Sequence, residues 1–298
     1  MSFKLVVADY RCSIFTSFIT SGLQGSLINS LNPPTTSLEP ITPAQTSLLK
    51  IIDSHLSDNH PNTADNQFLL PLFQRLQVYA NGSFTSGIDD ARLPKVLEAL
   101  VLVLEGLGSI GLACQGRRDR HEPLGEEEMI VTAMQAEGGI VGPLVGELDT
   151  LANLISELLK ALNAFMPRLR PSPANPVSND APTERSLGGI KVSLIRLLGV
   201  LSYENTSVGD QVRSHGGIQL VLSMTEVDEL NPCMSLSSSK LNKTDLREHA
   251  LFTIRNLMRN NPENQAVVKE MDPVGVVSET GEVLPLPEKM RRAAEAKK

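Results

Sequence analysis

One stretch constrains this chain most: Leu246 to Met271, LREHALFTIRNLMRNNPENQAVVKEM. Leu251, Ile254, Leu257 and Met258 recur at three- and four-residue steps, the spacing that aligns side chains on one face of a helix. Asn260 and Asn261 interrupt the run, and Pro262 suits the first turn of a following helix, where no backbone N–H is needed. Val267, Val268 and Met271 give that second helix its own apolar edge. Two short helices cannot bury such stripes against each other alone. The hairpin therefore needs neighbours of the same kind, which points to a protein of stacked helices.

Composition agrees. Leu is abundant, Trp is absent and aromatics are few, a balance that favours helices over a β-sandwich. The net charge of −7 argues against a general nucleic-acid binder, which needs a basic face for phosphates. Cys12, Cys114 and Cys233 are odd in number and far apart, so no disulfide framework or metal spacing follows. The apolar run at the start is cut by Asp9 and Arg11 and makes a poor signal peptide. The run from Val96 to Cys114 carries Glu98 and Glu105, which suits a core helix better than a membrane span. The expectation is a soluble protein of the cytoplasm, with no membrane or nucleic-acid partner.

Taken in order, residues 1–43 read as poorly ordered, with at most a short helix near Ile14 to Leu23. Residues 44–166 form an N-terminal helical region. Its helices run over Ala44 to Leu56, Asn66 to Tyr79, Asp90 to about Gln115, Glu126 to Glu137 and Ile140 to Phe165. Asn81-Gly82-Ser83 reads as a turn, and Gly146 as a place where the last helix could break. The Asp90 helix is apolar nearly all round, the mark of a central helix. Residues 167–185 are a Pro-rich linker. Helical pattern resumes over Ser186 to Tyr203, Asp210 to Ser214 and Ile218 to Met224, and residues 286–298 are a charged tail. No stretch alternates as a strand should.

Two segments resemble each other. Residues 198–222 and 254–277 both run from an apolar helix end through an Asn-containing turn to Asp210-Gln211 or Asn264-Gln265, then a Val and another apolar helix. A fainter copy lies at 134–148, where Gly138-Gly139-Ile140 echoes Gly216-Gly217-Ile218. Gln211 and Gln265 stand about 54 residues apart, against roughly 40–47 for an armadillo-type repeat. The Ser- and Lys-rich segment 233–245 has no helical logic; without about 12 of its residues the spacing falls to about 42. It is either an inserted surface loop or an intron read through into protein. The fold expected is all-α, an armadillo-like helical repeat forming an α-solenoid.

These residues resemble a known family. Residues 186–285 are similar to the C-terminal domain of ataxin-10 and its fungal relatives. The likeness rests on Leu194 to Leu201, Asp210-Gln211-Val212, Gly216-Gly217-Ile218, Asp228 with Asn231-Pro232, Arg247-Glu248-His249-Ala250, Ile254-Arg255-Asn256-Leu257 and Asn261 to Gln265. The family runs almost directly from the Asn-Pro step into the Arg-Glu helix start, whereas segment 233–245 intervenes here. The resemblance implies protein partners and a role in regulating cytokinesis.

Catalytic constellations are weak. Gly106, Gly108 and Gly111 spell GxGxxG, but the run before them has helical spacing and no βαβ unit surrounds it, so close helix packing is the simpler reading. The five histidines lack the spacing of a zinc helix, and Glu126-Glu127-Glu128 suits the positive end of a helix dipole. No cofactor, metal or catalytic residue is expected. In the armadillo-like reading the groove candidates are Arg255, Asn256 and Arg259. Asn256 would hold a partner's backbone or tie helices together, and the arginines would add charge for an acidic partner. Gln211 and Gln265 read as bonds to open backbone groups between repeats. The function expected is a non-enzymatic protein-interaction scaffold, with self-association open. The alternatives are a nucleotide-dependent enzyme at Gly106 to Gly111 and an import-type adaptor, which the missing Trp disfavours.

Overall fold

The structure, a computed structural model, describes residues 17–19, 21–33, 39–57, 66–86, 90–165, 182–225, 242–271, 276–277, 283–284 and 288. Its helices are α1 (Gln24–Ser30), α2 (Pro43–Ser57), α3 (Leu69–Ser86), α4 (Leu93–Asp119), α5 (Glu126–Gln135) and α6 (Val141–Phe165). After the Pro-rich stretch come α7 (Pro182–Leu201), α8 (Thr206–Ser214), α9 (Gly217–Ser223), α10 (Asn242–Met258) and α11 (Pro262–Glu270). Two-residue strands β1 (Val276–Val277) and β2 (Val283–Leu284) pair antiparallel, Val276 opposite Leu284 and Val277 opposite Val283. The expected absence of strands is corrected by that small pair; otherwise the described secondary structure is helical.

The apolar α4 does what its sequence implies. It packs against α2, α3, α5 and α7, and Val96, Leu97, Leu100, Val103, Leu104 and Leu107 are buried. Among the described residues it is the one helix long and apolar enough to cross a membrane, and neighbouring helices cover most of its apolar surface. One buried apolar cluster runs from Ile19 through α2, α3, α4, α6, α7 and α8 to Leu257. It therefore continues across the Pro-rich stretch, of which residues 167–181 lie outside the described residues. A second line of packing carries the stack onward, because α10 lies against α7, α8, α9 and α11.

Several element boundaries differ from expectation. Asn81-Gly82-Ser83 is helix, not turn: buried Ala80 and part-buried Phe84 extend the apolar face of α3 past Gly82, offsetting a glycine cost of about 1 kcal/mol. Gly116 to Asp119 likewise stay in α4, and α6 passes Gly146 unbroken. The linker's last residues belong to α7, since Pro182 stands where a missing N–H is harmless. Of segment 233–245, residues 242–245 are the first turn of α10, and 233–241 lie outside the described residues.

Near the N-terminus, residues 17–19 are helical, within the expected short helix, and α1 follows with Ile28 buried. Thr42 and Gln45 cap α2 reciprocally: the Gln45 N–H donates to Thr42 Oγ1 (3.2 Å) and the Thr42 N–H to Gln45 Oε1 (3.0 Å). The side chains of Leu154, Ile155, Leu158, Leu159 and Leu162 on α6, and residues 289–298 of the tail, lie outside the described residues.

Candidate functional site

The site begins at the C-terminus of α7. The last four carbonyls of a helix have no partner within it. Here each finds one. Leu198 O accepts from the Ser202 N–H (3.0 Å), and Val200 O from the Tyr203 N–H (3.3 Å). Gly199 O accepts from Asn256 Nδ2 of α10 (2.9 Å), and Leu201 O from Gln135 Nε2 of α5 (2.9 Å). Two of the four bonds therefore come from neighbouring helices, one on either side. Gln211 Nε2 of α8 completes the pattern by donating to Gln135 O (2.9 Å).

Helix α10 reaches α7 closely because its contact face is built from small and polar residues. Ala250, Thr253, Asn256 and Leu257 are buried, and Thr253 Oγ1 donates to Ile195 O (2.9 Å). A Cβ at Gly199 would stand 2.5 Å from Thr253 Oγ1 and 2.9 Å from Phe252 Cδ1, so only glycine admits this approach. Leu251, expected on the buried face, is 50% exposed. The contact to α7 runs along Ala250, Thr253 and Leu257 instead, turning Leu251 outward.

The α10–α11 turn closes on itself. Arg255 O and Asn256 O accept from the Arg259 N–H. Leu257 O accepts from Asn264 Nδ2 (2.9 Å), and Met258 O from Gln265 Nε2 (2.8 Å). Asn261 caps α11, accepting from the Asn264 N–H (3.0 Å). Asn264 is fully buried and also donates to Gly209 O of α8 (3.2 Å), while its Oδ1 accepts from Arg213 (2.6 Å). Asp210 accepts from Arg213 (2.7 Å) and from Asn261 Nδ2 (3.1 Å). The Asn261 bond, then Arg213, holds the Asp210 carboxyl below its ordinary value. Thr253, Asn261, Asn264, Gln135 and Arg213 are thus structural partners that periodicity does not single out. Their sequence signals were the break at Asn261 before Pro262 and the repeated Asn264-Gln265 pair.

The three groove candidates do not converge. Asn256 is 6% exposed, and its amide faces α7. Arg259 lies 3.1 Å from Glu204 and stacks over Tyr203, 5.7 Å from the ring centroid. Arg255 is exposed, with no side-chain partner among the described residues. Gln211 and Gln265 both bond open carbonyls, as expected, but are not equivalent: Gln211 reaches another unit, whereas Gln265 stays within its own turn.

Gly106, Gly108 and Gly111 lie inside α4, not in a phosphate-binding loop. A Cβ at Gly111 would meet Val200 Cγ1 at 2.7 Å, one at Gly106 would touch Leu56 and Leu69 at 3.4 Å, and one at Gly108 would meet nothing within 4 Å. The packing reading thus holds for Gly111, is mild at Gly106 and does not extend to Gly108. Glu127 and Glu128 pair with Arg117 (3.0 Å) and Arg118 (3.7 Å) of α4. Among the described residues no cluster of His, Cys, Asp and Glu could hold a metal ion.

The long helices α2, α4, α7 and α10 pack one against the next, and polar bonds cross each seam. Lys50 pairs with Glu98 (2.7 Å). Glu105 accepts from Ser193 and Arg196, both at 2.5 Å. The α7–α10 seam carries the Thr253 and Asn256 bonds.

Comparison with known proteins bears on this part of the molecule. Residues 190–285 match the family described as "Spinocerebellar ataxia type 10 protein domain". The ataxin-10 homolog of Dictyostelium discoideum is 36% identical over 90 residues, 30% of this chain and 13% of that protein. The Kluyveromyces lactis homolog is 32% identical over 96 residues, 32% of this chain and 16% of its own. Ataxin-10 of Xenopus tropicalis is 35% identical over 88 residues, 30% and 16% respectively. The matched stretch thus spans less than a fifth of these relatives' length. No solved structure matches. Over residues 190–285, within the segment from α7 to the β1–β2 pair, this chain is thus similar to the ataxin-10 family.

Proposed function

We propose that this chain is a non-catalytic scaffold that binds other proteins, built as an armadillo-like solenoid and acting in the regulation of cytokinesis. The observation that carries the reading is the α2–α4–α7–α10 layer, in which successive long helices lie side by side with bonds across every seam. Units that contact only their neighbours build extended faces of this kind, and such faces bind partners along their length. The match of residues 190–285 supports protein partners and the cell-division role through the resemblance. The cytoplasm is the proposed place of action, without membrane or nucleic-acid partners, and a second copy of the chain is an admissible partner. Arg255 and Arg259 are the groove residues of this proposal, with Asn256 holding the layer beneath them.

Neither alternative gains an observation. The Gly106 motif lies within a helix, whose N–H groups bond the preceding turn rather than a phosphate. An import-type groove would need tryptophans, and the chain has none. Affinity capture of the tagged full chain from dividing cells, read by mass spectrometry, tests the proposal. Proteins of the division septum are the expected capture. A consistent set of metabolic enzymes would contradict it.

A further inference from the structure

The exposed arc of α10 differs from the rest of the described surface. Every other arginine whose side chain is described is engaged: ion pairs hold all but Arg75, which hydrogen-bonds Asn32 instead. Arg247 and Arg255 alone have no side-chain partner among the described residues, and both are exposed on α10. They stand four residues before and four after Leu251, itself half exposed where most described leucines of these helices face the core. Steps of four residues on a helix keep side chains on one ridge, about 6 Å apart along the axis. The ridge thus reads cation, apolar, cation. Glu248 shares the exposed arc but pairs with neither arginine.

This pattern has a defined complement. In an extended chain alternate side chains share one side and are spaced about 6.6 Å apart, close to the spacing of the ridge. We propose that the Arg247–Leu251–Arg255 ridge docks an extended acidic segment of a partner protein, its two carboxylates flanking an apolar side chain at alternate positions. The inference rests on the scaffold reading and names the partner's chemistry. The carboxylates meet the two unpaired guanidiniums, which favour planar, bidentate acceptors. The apolar side chain covers Leu251. Neither guanidinium has an ion-pair partner among the described residues, so in a chain of net charge −7 the ridge is a local attraction for acids.

The test is fluorescence anisotropy on the full chain at low salt, using a labelled peptide with Glu-Ser-Leu-Ser-Glu between neutral flanks. Saturable binding is expected, weakening with added salt. Combining Arg247→Glu with Arg255→Glu should lower affinity at least about tenfold, and Leu251→Ser several-fold. All three positions are exposed, so thermal melts of the variants should match the parent. Unchanged affinity in the double variant overturns the inference. So does equal binding of a peptide with its leucine replaced by serine, or tighter binding of a phosphopeptide lacking the apolar residue. Repeating the cell capture with the double variant separates the two claims. If all septum partners are retained, the ridge is wrong and the scaffold stands; if neither form captures such partners, the scaffold reading fails whatever the peptide does.

Discussion

The turn between α7 and α8 and the turn between α10 and α11 begin alike and end differently. Each has a residue at positive φ, Glu204 (52°) and Asn260 (54°), followed by an asparagine N-cap of nearly equal backbone geometry, Asn205 (φ −126°, ψ 96°) and Asn261 (φ −127°, ψ 88°). Each cap accepts from the N–H three residues on. Yet α7 has two of its final carbonyls satisfied by α5 and α10, whereas α10 has its last two satisfied by side chains of α11. The first helix end is stitched to neighbours on both sides, whereas the second has its last carbonyls closed from within its own turn, whose asparagines reach back to α8. That is the difference between an inner unit of a stack and the last unit at one end of the described helices.

The largest expected effect strikes the stitched side. Gly199→Ala should destabilise the chain by about 3 kcal/mol in denaturant unfolding, because the new methyl collides with Thr253 and Phe252 and forces α10 off α7. A neutral result would mean that the approach is not close.

Glu147 offers a contrasting seam, between α3 and α6, where polar pairing is incomplete. The residue is fully buried; Oε2 accepts from Gln77 at 3.4 Å, and Oε1 has no partner within hydrogen-bond distance among the described residues. Burial pushes its carboxyl up to about 7, against hydrogen bonds from Gln77 and Asn81 that pull it down. A folded-state value above the unfolded one means stability is full below about pH 4.5, is lost as pH rises toward 7, and levels off beyond. Glu147→Gln should therefore stabilise the chain by about 2–3 kcal/mol at pH 8 and little at pH 4.5. Equal effects at both pH values would remove ionisation as the cause.

Asn256→Ala leaves Gly199 O buried without its donor and should cost about 1–2 kcal/mol of stability. Smallest is the contrast that sharpens the comparison directly. Gln211→Ala, which removes a bond between units, should cost about 1 kcal/mol, and Gln265→Ala, at an exposed bond within one turn, below about 0.5 kcal/mol. Equal losses would erase the distinction between the two turns.

Much of this architecture is legible in the sequence, since three- and four-residue apolar spacing marks the long helices and Asn261-Pro262 marks a helix start. Contacts decided by small residues are not. Leu251 reads as core, but α10 approaches α7 along Ala250 and Thr253, which a hydrophobic pattern passes over because neither carries much apolar area. Asn81-Gly82-Ser83 carries strong local turn chemistry, overridden by the burial of Ala80 and the packing of Phe84. Asn256 was legible as a residue that could tie helices, as its bond to Gly199 does, whereas the pairing of Arg259 with Tyr203 and Glu204, more than fifty positions away, was not.

The central claim is that the helices before and after the Pro-rich stretch form one stack with one core. Scanning calorimetry of the full chain tests it most directly. A single cooperative transition is predicted, with the calorimetric and van't Hoff enthalpies equal, and Gly199→Ala should shift that transition as a whole. Two separated transitions, with Gly199→Ala moving only one, would contradict it.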